Sequence, residues 1–303
     1  MTLLAPLLHG LTLLLVPPLL LGTVNKTKSW FAGRQGPPLL QPYYDLVKLF
    51  RKQTVLSTTT SWIFRLAPFV LLVSTAFAGL FVPLFNFAAP LSFSGDFILV
   101  AYLFALGRFF TTLAALDTGS AFEGMGASRE LTFSFLTEPA LFLGFLTLVK
   151  ISGSLETSGF LLSPLLHYNS QLTAPLILTA LGLFLVFLTE TSRLPVDDPA
   201  THLELTMIHE AMILDHSGPL LGAVEYSSAM KFLILGSLVV HTAAPFPADW
   251  PGGFALPLAE VLVLAVFVGV LESAFARLRL KRVPLFLTGA VLSCGAGFLL
   301  MMR

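Results

Sequence analysis

Long apolar segments separated by shorter polar stretches dominate the pattern of the chain. Each segment is close to the ~20 residues that an α-helix needs to cross the hydrocarbon core of a bilayer, and runs of this length predict membrane spans. The predicted spans are residues 2–24, 62–84, 97–116, 130–150, 172–190, 229–248, 256–275 and 283–301. The predicted fold class is all-α integral membrane: about eight transmembrane helices in a tilted bundle, with long cytoplasmic loops, in one membrane domain over residues 1–303.

Composition excludes a water-soluble domain. The 303 residues are 55% hydrophobic and only 11% charged, whereas soluble chains carry roughly 25% charged residues. The net charge is zero, which gives no signal for nucleic-acid binding. Cys294 is the only cysteine, so the chain alone forms neither a disulfide nor a four-cysteine iron–sulfur cluster. The first segment exceeds signal-peptide length and has no basic residue before it, so we predict a retained span.

Lysine and arginine concentrate in two connections, residues 25–61 and 276–282. Because basic loops stay on the cytoplasmic side, we predict that these two and the other odd-numbered connections lie inside and that both termini lie outside. Three tryptophans, Trp30, Trp62 and Trp250, fall near predicted span ends, as an interfacial aromatic belt requires.

Two predicted inside segments, 25–61 and 190–228, are long for a small membrane protein. Within the first, Gln41–Lys52 alternates apolar and polar residues in a way that predicts a short surface helix; an ordinary connecting loop is the alternative. The second holds seven of the 17 acidic residues: Glu190, Asp197, Asp198, Glu204, Glu210, Asp215 and Glu225.

Carboxylates also occur inside the predicted spans. Glu130, Ser134 and Glu138 recur every four residues and so share one helix stripe. A central carboxylate costs ~2.5–3.5 kcal/mol to insert, and functional ones face a cavity or a partner. We predict a role for Glu138 in proton transfer or hydration, whereas Glu130 has the alternative of an interfacial pair with Arg129.

A second acidic set lies near the inner ends of later spans. Glu190, Glu225 and Glu272 are predicted to form a buried row, since a proton path needs protonatable groups spaced through the membrane. For Glu272 the alternative is that it snorkels to the inner surface, because Arg277 and Arg279 lie one to two turns away.

Other charged residues give weaker signals. Arg108 and Asp117 lie on opposite faces of one helix, so each needs a partner on another helix. His202, His209 and His216 repeat every seven residues, which would place them on one helix face. In a helix the first and last are about 21 Å apart, too far to share one metal ion, so we predict no metal site. No motif indicates a self-contained active site.

Several motifs resemble one family of membrane subunits, over nearly the whole chain. Gly33-Arg-Gln-Gly-Pro-Pro, the Leu40–Phe50 stretch and Glu190-Thr-Ser-Arg-Leu-Pro-Val-Asp resemble the complex I subunit that docks the peripheral arm. The 117–131 run and the 199–212 run resemble more closely its hydrogenase branch, which includes the membrane anchor of formate hydrogenlyase and of energy-converting nickel–iron hydrogenases.

The resemblance implies an eight-helix, non-catalytic subunit in a prokaryotic inner membrane. It would lie between antiporter-like membrane subunits and a peripheral arm of hydrogenase large and small subunits and an iron–sulfur protein, with the nickel–iron centre and iron–sulfur clusters in those partners. The predicted proton path or coupling set is Asp117, Glu130, Glu138, Glu190, Glu204, Glu210, Glu225 and Glu272. Of these, Glu138, Glu190, Glu204 and Glu225 match positions of the family. The inner loops 25–61 and 190–228 are predicted to dock the peripheral subunits, and the predicted docking set is Arg34, Gln41, Asp45, Lys48, Arg129, Arg193, Asp197, Arg277 and Arg279. Of these, Arg193, Asp197, Arg277 and Arg279 match positions of the family.

Departures from the quinone-reducing branch favour the hydrogenase branch. Ala200 and His202 replace two glutamates of that branch, Asn25-Lys26-Thr27 replaces Glu-Arg-Lys, and Glu272 replaces a basic residue. Three alternatives stay open: a quinone-site subunit of an NADH dehydrogenase-like complex, a stand-alone ion transporter, and a purely structural anchor.

Overall fold

The computed structural model describes residues 4–163, 172–197, 207–244 and 255–302. Within these ranges every regular element is helical. The helices are α1 Leu4–Leu15, α2 Pro17–Phe31, α3 Gln41–Arg51, α4 Trp62–Gly79, α5 Asp96–Asp117, α6 Ala121–Ser152, α7 Thr157–Leu161, α8 Thr173–Glu190, α9 His209–Ile213, α10 Gly218–Ala243, α11 Ala255–Ala274 and α12 Val283–Met301.

The number of spans agrees with the sequence pattern. Seven of the described helices are long and apolar enough to cross a membrane, and the bent pair α1–α2 makes an eighth. Large apolar side chains cover the outside of the bundle, among them Phe135, Val263 and Leu292, each more than two-thirds exposed. Such a surface requires lipid, so the predicted all-α integral membrane class is confirmed.

The first span is broken at Val16, where α1 and α2 meet at 44°. The cause is local, since Pro17 and Pro18 have no N–H to continue the helical ladder. Two tyrosines satisfy the freed carbonyls: Tyr226 donates to Leu14 O at 2.6 Å and Tyr43 donates to Leu15 O. The break therefore ties the first span to α10 and to α3.

Helix α10 is the centre of the bundle. In its apolar 18-residue stretch 78% of the residues are buried, compared with 28–44% in the corresponding stretches of the other six single-helix spans. It packs against α2, α3, α4, α8 and α11. It begins at Gly218, not at residue 229 as we predicted. Hydropathy underestimated its length because Glu225, Ser227 and Ser228 lower the mean of its first turns, although protein surrounds much of them.

Helix α6 also exceeds its predicted span of 130–150, beginning at Ala121. Its early, more polar part packs on the short α9: a Cβ on Gly126 would lie only 2.8 Å from Ala211 Cβ. A buried contact with protein stabilises this part of the helix, and a lipid-based criterion cannot detect that contact. In the opposite sense, α4 ends at Gly79, five residues before its predicted end.

Some of the segments between the spans contain short helices. The helix predicted over 41–52 is confirmed as α3, so the alternative of an ordinary loop is wrong, and its position at a membrane surface stays a prediction. Helix α9 ends at Ile213, so His209 and His216 are not on one continuous helix, and that interpretation of their spacing is wrong. His216 instead packs edge-on against Phe64, at 4.0 Å between ring centroids. His202, Asp198, Glu204 and Trp250 lie outside the described residues.

Candidate functional site

A buried arginine forms the centre of a charged cluster between α5, α6 and α8. Arg108 is 8% exposed, and its guanidinium contacts Glu190 and, at 2.7 Å, Glu138. Its Nε lies 3.3 Å from Glu130. The prediction that Arg108 finds its partner on another helix is confirmed, whereas the alternative pair of Glu130 with Arg129 is wrong because Glu130 faces Arg108.

Glu190 extends this cluster to the central helix. Its second oxygen lies 2.5 Å from Lys231 Nζ on α10, and Thr137 on α6 donates a hydrogen bond to its first oxygen at 3.1 Å. The side chains of Glu190 and Lys231 are 8% and 15% exposed. We call Arg108, Lys231 and the three carboxylates of Glu130, Glu138 and Glu190 the central charge cluster.

Sequence reasoning missed Lys231, although a signal was available. Lys231 lies in the first turn of the predicted span 229–248, and a charge inside a span is a functional signal in its own right. Lys231 is the second cation of the cluster, and its charge makes the three carboxylates tolerable in a membrane.

Two adjacent cavities lie at or near this cluster. A small one of about 40 Å³ touches Arg108, Glu190 and Lys231. A larger one of about 320 Å³, the inner cavity, is lined by Lys28, Arg193, Glu210, Glu225 and Ser228, among others. Both have His209, Ser192 and Val224 in their walls. Because the walls are polar and each volume exceeds that of one water molecule, a hydrated route can join the surface to the cluster.

Two titratable side chains of α9 line this route. Burial raises the pKa of Glu210 to about 7, with the negative charges of Glu225 and Asp197 adding to the effect. Burial lowers the pKa of His209, although the carboxylates of Glu130 and Asp197 oppose it. A carboxyl group with a pKa near neutrality exchanges protons readily at physiological pH.

Glu272 forms a second buried ion cluster at the wall of the inner cavity. Its side chain is fully buried and lies 2.8 Å from Lys28 Nζ on α2 and 3.3 Å from Arg193 Nη1. Arg193 also lies over the ring of Phe232, 5.4 Å from its centroid. The alternative that Glu272 snorkels to the surface is wrong, because α2 and the 191–197 segment supply its cations.

The predicted buried row of three acids needs one correction. Glu190 and Glu272 are buried, but Glu225 is exposed at the edge of the inner cavity. Helix α10 turns Glu225 towards α3, where Asp45 lies within electrostatic range. The acids therefore form two buried clusters and an exposed rim.

The 191–197 segment is fixed to the connection between α11 and α12. Asp197 is 2% exposed; one oxygen lies 2.7 Å from Arg277 and the other accepts the His209 N–H at 2.9 Å. Leu278 N–H donates to Pro195 O at 2.9 Å. These contacts make the segment, the start of α9 and the final loop one connected unit.

Several residues of the predicted docking set are thus used inside the chain. Arg193, Asp197 and Arg277 form the buried pairs described above, and Arg129 donates to Met207 O at 2.7 Å. Their position differs from the exposed one that docking predicts. The other members lie on the surface or partly exposed: Arg34, Gln41, Asp45, Lys48 and Arg279.

Three more acids complete the comparison with the predicted set. Asp117 accepts the Ser61 N–H at 2.7 Å, about 13 Å along α5 from Arg108, so it joins the ends of α4 and α5. Glu204 lies outside the described residues. Glu123, which the predicted set omits, is 1% exposed and accepts the Asp215 N–H at 3.2 Å. It fixes the chain after α9 to α6.

In the described part of the chain, no group of three or more His, Cys, Asp or Glu side chains is placed to hold a metal ion. What the arrangement offers is charge: two cations and three carboxylates in contact, next to polar cavities. If every member is ionised the cluster carries one net negative charge, so uptake of a single proton neutralises it. Such a group can store or pass a proton.

Comparisons with known proteins agree with this architecture. The family model described as NADH dehydrogenase matches residues 4–302. The chain is 35% identical to hydrogenase-4 component C of Escherichia coli (strain K12), over 89% of this chain and 87% of that protein. It is 33% identical to formate hydrogenlyase subunit 4 of the same organism, over 94% of both.

A solved structure supports the fold. A chain of the membrane-bound sulfane sulfur reductase (MBS), an archaeal respiratory membrane complex, superimposes with a TM-score of 0.82. The alignment covers 98% of both chains at 21% sequence identity. At this identity the likeness establishes a shared arrangement of helices.

Proposed function

Because the chain belongs to the NADH dehydrogenase family, we propose that it is the membrane anchor and coupling subunit of a nickel–iron hydrogenase complex similar to formate hydrogenlyase. It docks an electron-transfer arm at the inner face of a prokaryotic membrane and links redox chemistry to proton or sodium movement. Hydrogenase large and small subunits, an iron–sulfur protein and antiporter-like membrane subunits are its partners. The nickel–iron centre and the iron–sulfur clusters belong to those partners.

The names of two relatives support the hydrogenase branch. Both are components of hydrogenase systems, and each aligns with at least 87% of its own length. A stand-alone transporter has no comparable support, and the relatives favour the hydrogenase branch over a quinone-site subunit.

The central charge cluster is the observation that carries the coupling proposal. Glu138, on α6, and Lys231, on α10, are joined through Arg108 and Glu190 by contacts of 2.7 Å or less. A purely structural anchor has no need for five ionisable groups in and beside lipid, where each is expensive. A proton relay needs them within contact of one another and next to water.

The buried tethers around the inner cavity suggest how the redox arm acts on the cluster. Arg193, Asp197 and Glu272 join the 191–197 segment to α2, α11 and the last loop. A charge change or movement at this surface alters the field at Glu210 and His209. Coupled carboxylates then change their pKa and exchange protons with the hydrated route.

Replacing Glu138 by Gln tests the coupling role. The amide keeps the shape but not the negative charge or the exchangeable proton, so we expect hydrogen formation to persist while ion movement falls towards background. The measurement uses the whole complex in liposomes, with reduced viologen as electron donor. Hydrogen release, internal pH and sodium content are followed together.

Glu156→Gln is the matched control, because Glu156 is exposed beyond the far end of α6, away from the cluster. It should leave both rates unchanged. Unaltered ion movement per hydrogen molecule in Glu138→Gln would contradict the coupling role and favour a structural anchor. Measuring sodium and pH together identifies the transported ion.

The proposed orientation places residues 25–61 and 276–282 inside and both termini outside, as the basic loops indicate. Single cysteines provide a test because the native Cys294 is fully buried. In intact cells, we expect an impermeant maleimide to label Ser94→Cys strongly and Ser57→Cys at background level. Inverted vesicles should reverse this result. Both positions are exposed, and the parent protein is the control; the opposite pattern would refute the orientation.

A further inference from the structure

The geometry points to a binding site for one anionic phospholipid on the lipid-facing surface of α4 and α5. The phosphate binds Arg65, and one acyl chain lies in the groove that begins beside it. This site is separate from the charge clusters and does not depend on the function proposed above.

The acyl part of the site is an apolar groove of about 330 Å³. Leu66, Phe69, Val73 and Phe77 line it from α4, and Leu103 and Leu106 line it from α5. From Leu66 to Phe77 the groove runs about 16 Å along the helix, which is close to the ~15 Å depth of one bilayer leaflet. Its length and lining suit one extended hydrocarbon chain.

Close packing of the two helices creates the groove. A Cβ on Gly107 would lie 2.7 Å from Leu71 Cδ1 and 3.0 Å from Ser74 Oγ. The absence of a side chain at Gly107 therefore lets α4 and α5 meet along this line. Larger side chains to one side, such as Phe69 and Val73, remain 50% and 66% exposed and form the wall.

A cation stands at the polar end of the groove. Arg65 is exposed and lies one helical turn before Phe69, on the same stripe of α4. Within the described ranges, Arg65 has no hydrogen-bond or ion-pair partner in the protein. Asp117, which lies near the start of α4, accepts the Ser61 N–H. Arg65 is thus a free cation at the level where lipid phosphates lie, and its guanidinium suits a phosphate.

An aromatic side chain marks the same level. Trp62 is 69% exposed and begins α4, one turn before Arg65 and Leu66. Tryptophan at a span end occupies the headgroup region. Along α4 the interfacial tryptophan comes first, then the unpaired cation, then the apolar groove. A phospholipid bound here would place its headgroup beside the first two and its acyl chain in the groove. Charge complementarity therefore favours an anionic phospholipid over a hydrophobic helix of a neighbouring subunit.

The test is native mass spectrometry of the purified whole complex, titrated with phosphatidylglycerol or phosphatidylethanolamine. We expect wild type to retain phosphatidylglycerol preferentially. One cation near a membrane surface contributes enough that Arg65→Ala should lower phosphatidylglycerol occupancy about fivefold at limiting lipid. Arg65→Lys should keep most of the preference, and Val73→Trp, which fills the groove, should abolish retention of either lipid.

Two controls address non-specific effects. Leu292→Trp changes an equally exposed lipid-facing site, 71% exposed on α12, and Lys281→Ala removes an exposed cation elsewhere; both should bind as wild type. Equal retention of the two lipids, or no change in Arg65→Ala, would overturn the proposal. A photo-crosslinker at position 69 should attach to lipid in the intact complex. Its attachment to another subunit would also overturn it, by showing that the groove is a protein contact.

Discussion

Replacing Arg108 by Met is expected to destabilise the protein by about 3–5 kcal/mol, the usual cost of removing one partner of a buried ion pair. The variant leaves Glu130, Glu138 and Glu190 together, with Lys231 as the only nearby cation of the cluster. Three carboxylates in contact repel one another and lack the guanidinium that each now faces. Thermal unfolding of the purified complex and the yield of assembled complex on native gels measure the loss.

Three further variants separate charge from packing at this position. Arg108→Lys keeps one charge but lacks the planar fork that reaches three carboxylates, so we expect an intermediate loss. Phe109→Met places the same new side chain next door, at a site 54% exposed, and should cost less than about 0.5 kcal/mol. Adding Glu138→Gln to Arg108→Met should restore part of the stability, because it removes one uncompensated charge.

A wild-type unfolding temperature in Arg108→Met would contradict this account. It would show that the carboxylates are neutral in the resting protein, or that they relax towards solvent without cost. Because Glu138 is 46% exposed, its own Gln variant should change stability by no more than ~1 kcal/mol. The coupling test on Glu138 therefore reads function with little interference from unfolding.

The sequence predicts the spans of this fold well because their cause is local. Segments such as Trp62–Gly79 and Ala255–Ala274 are apolar along their whole length, and lipid requires nothing more. The errors fall where protein replaces lipid as the surroundings. The early part of α6 and the first turns of α10 are polar enough to be missed, yet they are helical because α9, α3 and α2 pack against them.

The site is predictable in its residues but not in its partners. A charge within an apolar run, such as Arg108 or Glu138, is visible in the sequence because its cost is local. Which cation neutralises Glu272 depends on how α2 and the 191–197 segment approach α11, a tertiary property. Proximity along the chain suggested Arg277, whereas the fold supplies Lys28 and Arg193.

This difference also changes what the 190–228 segment does. The resemblance implies that this segment docks peripheral subunits, yet Asp197 is used for internal pairing. A partner subunit that binds here contacts a surface already coupled, through Arg277 and Glu272, to the spans. In the proposed function, docking and coupling would then depend on one connected set of ion pairs.

Replacing Glu272 by Gln tests that connection and is expected to cost about 3–5 kcal/mol. The change leaves Lys28 and Arg193 facing an uncharged group in a place where the carboxylate was fully buried. Since Arg193 lies in the 191–197 segment, the loss should be largest there. Relative to wild type, hydrogen exchange in the purified complex should accelerate more in this segment and in α9 than in α12. The unfolding temperature should fall.

A second change provides the control, because removing one of the two cations relieves the imbalance. Lys28 is the more exposed cation, at 28%, so Lys28→Met should cost little and should recover part of the stability of Glu272→Gln. Additive losses in the double variant would show that the two side chains are not coupled. Exchange in the 191–197 segment that stays slow in Glu272→Gln would separate the buried acid from the docking surface, and the proposed route from the redox arm to the membrane would lose its physical link.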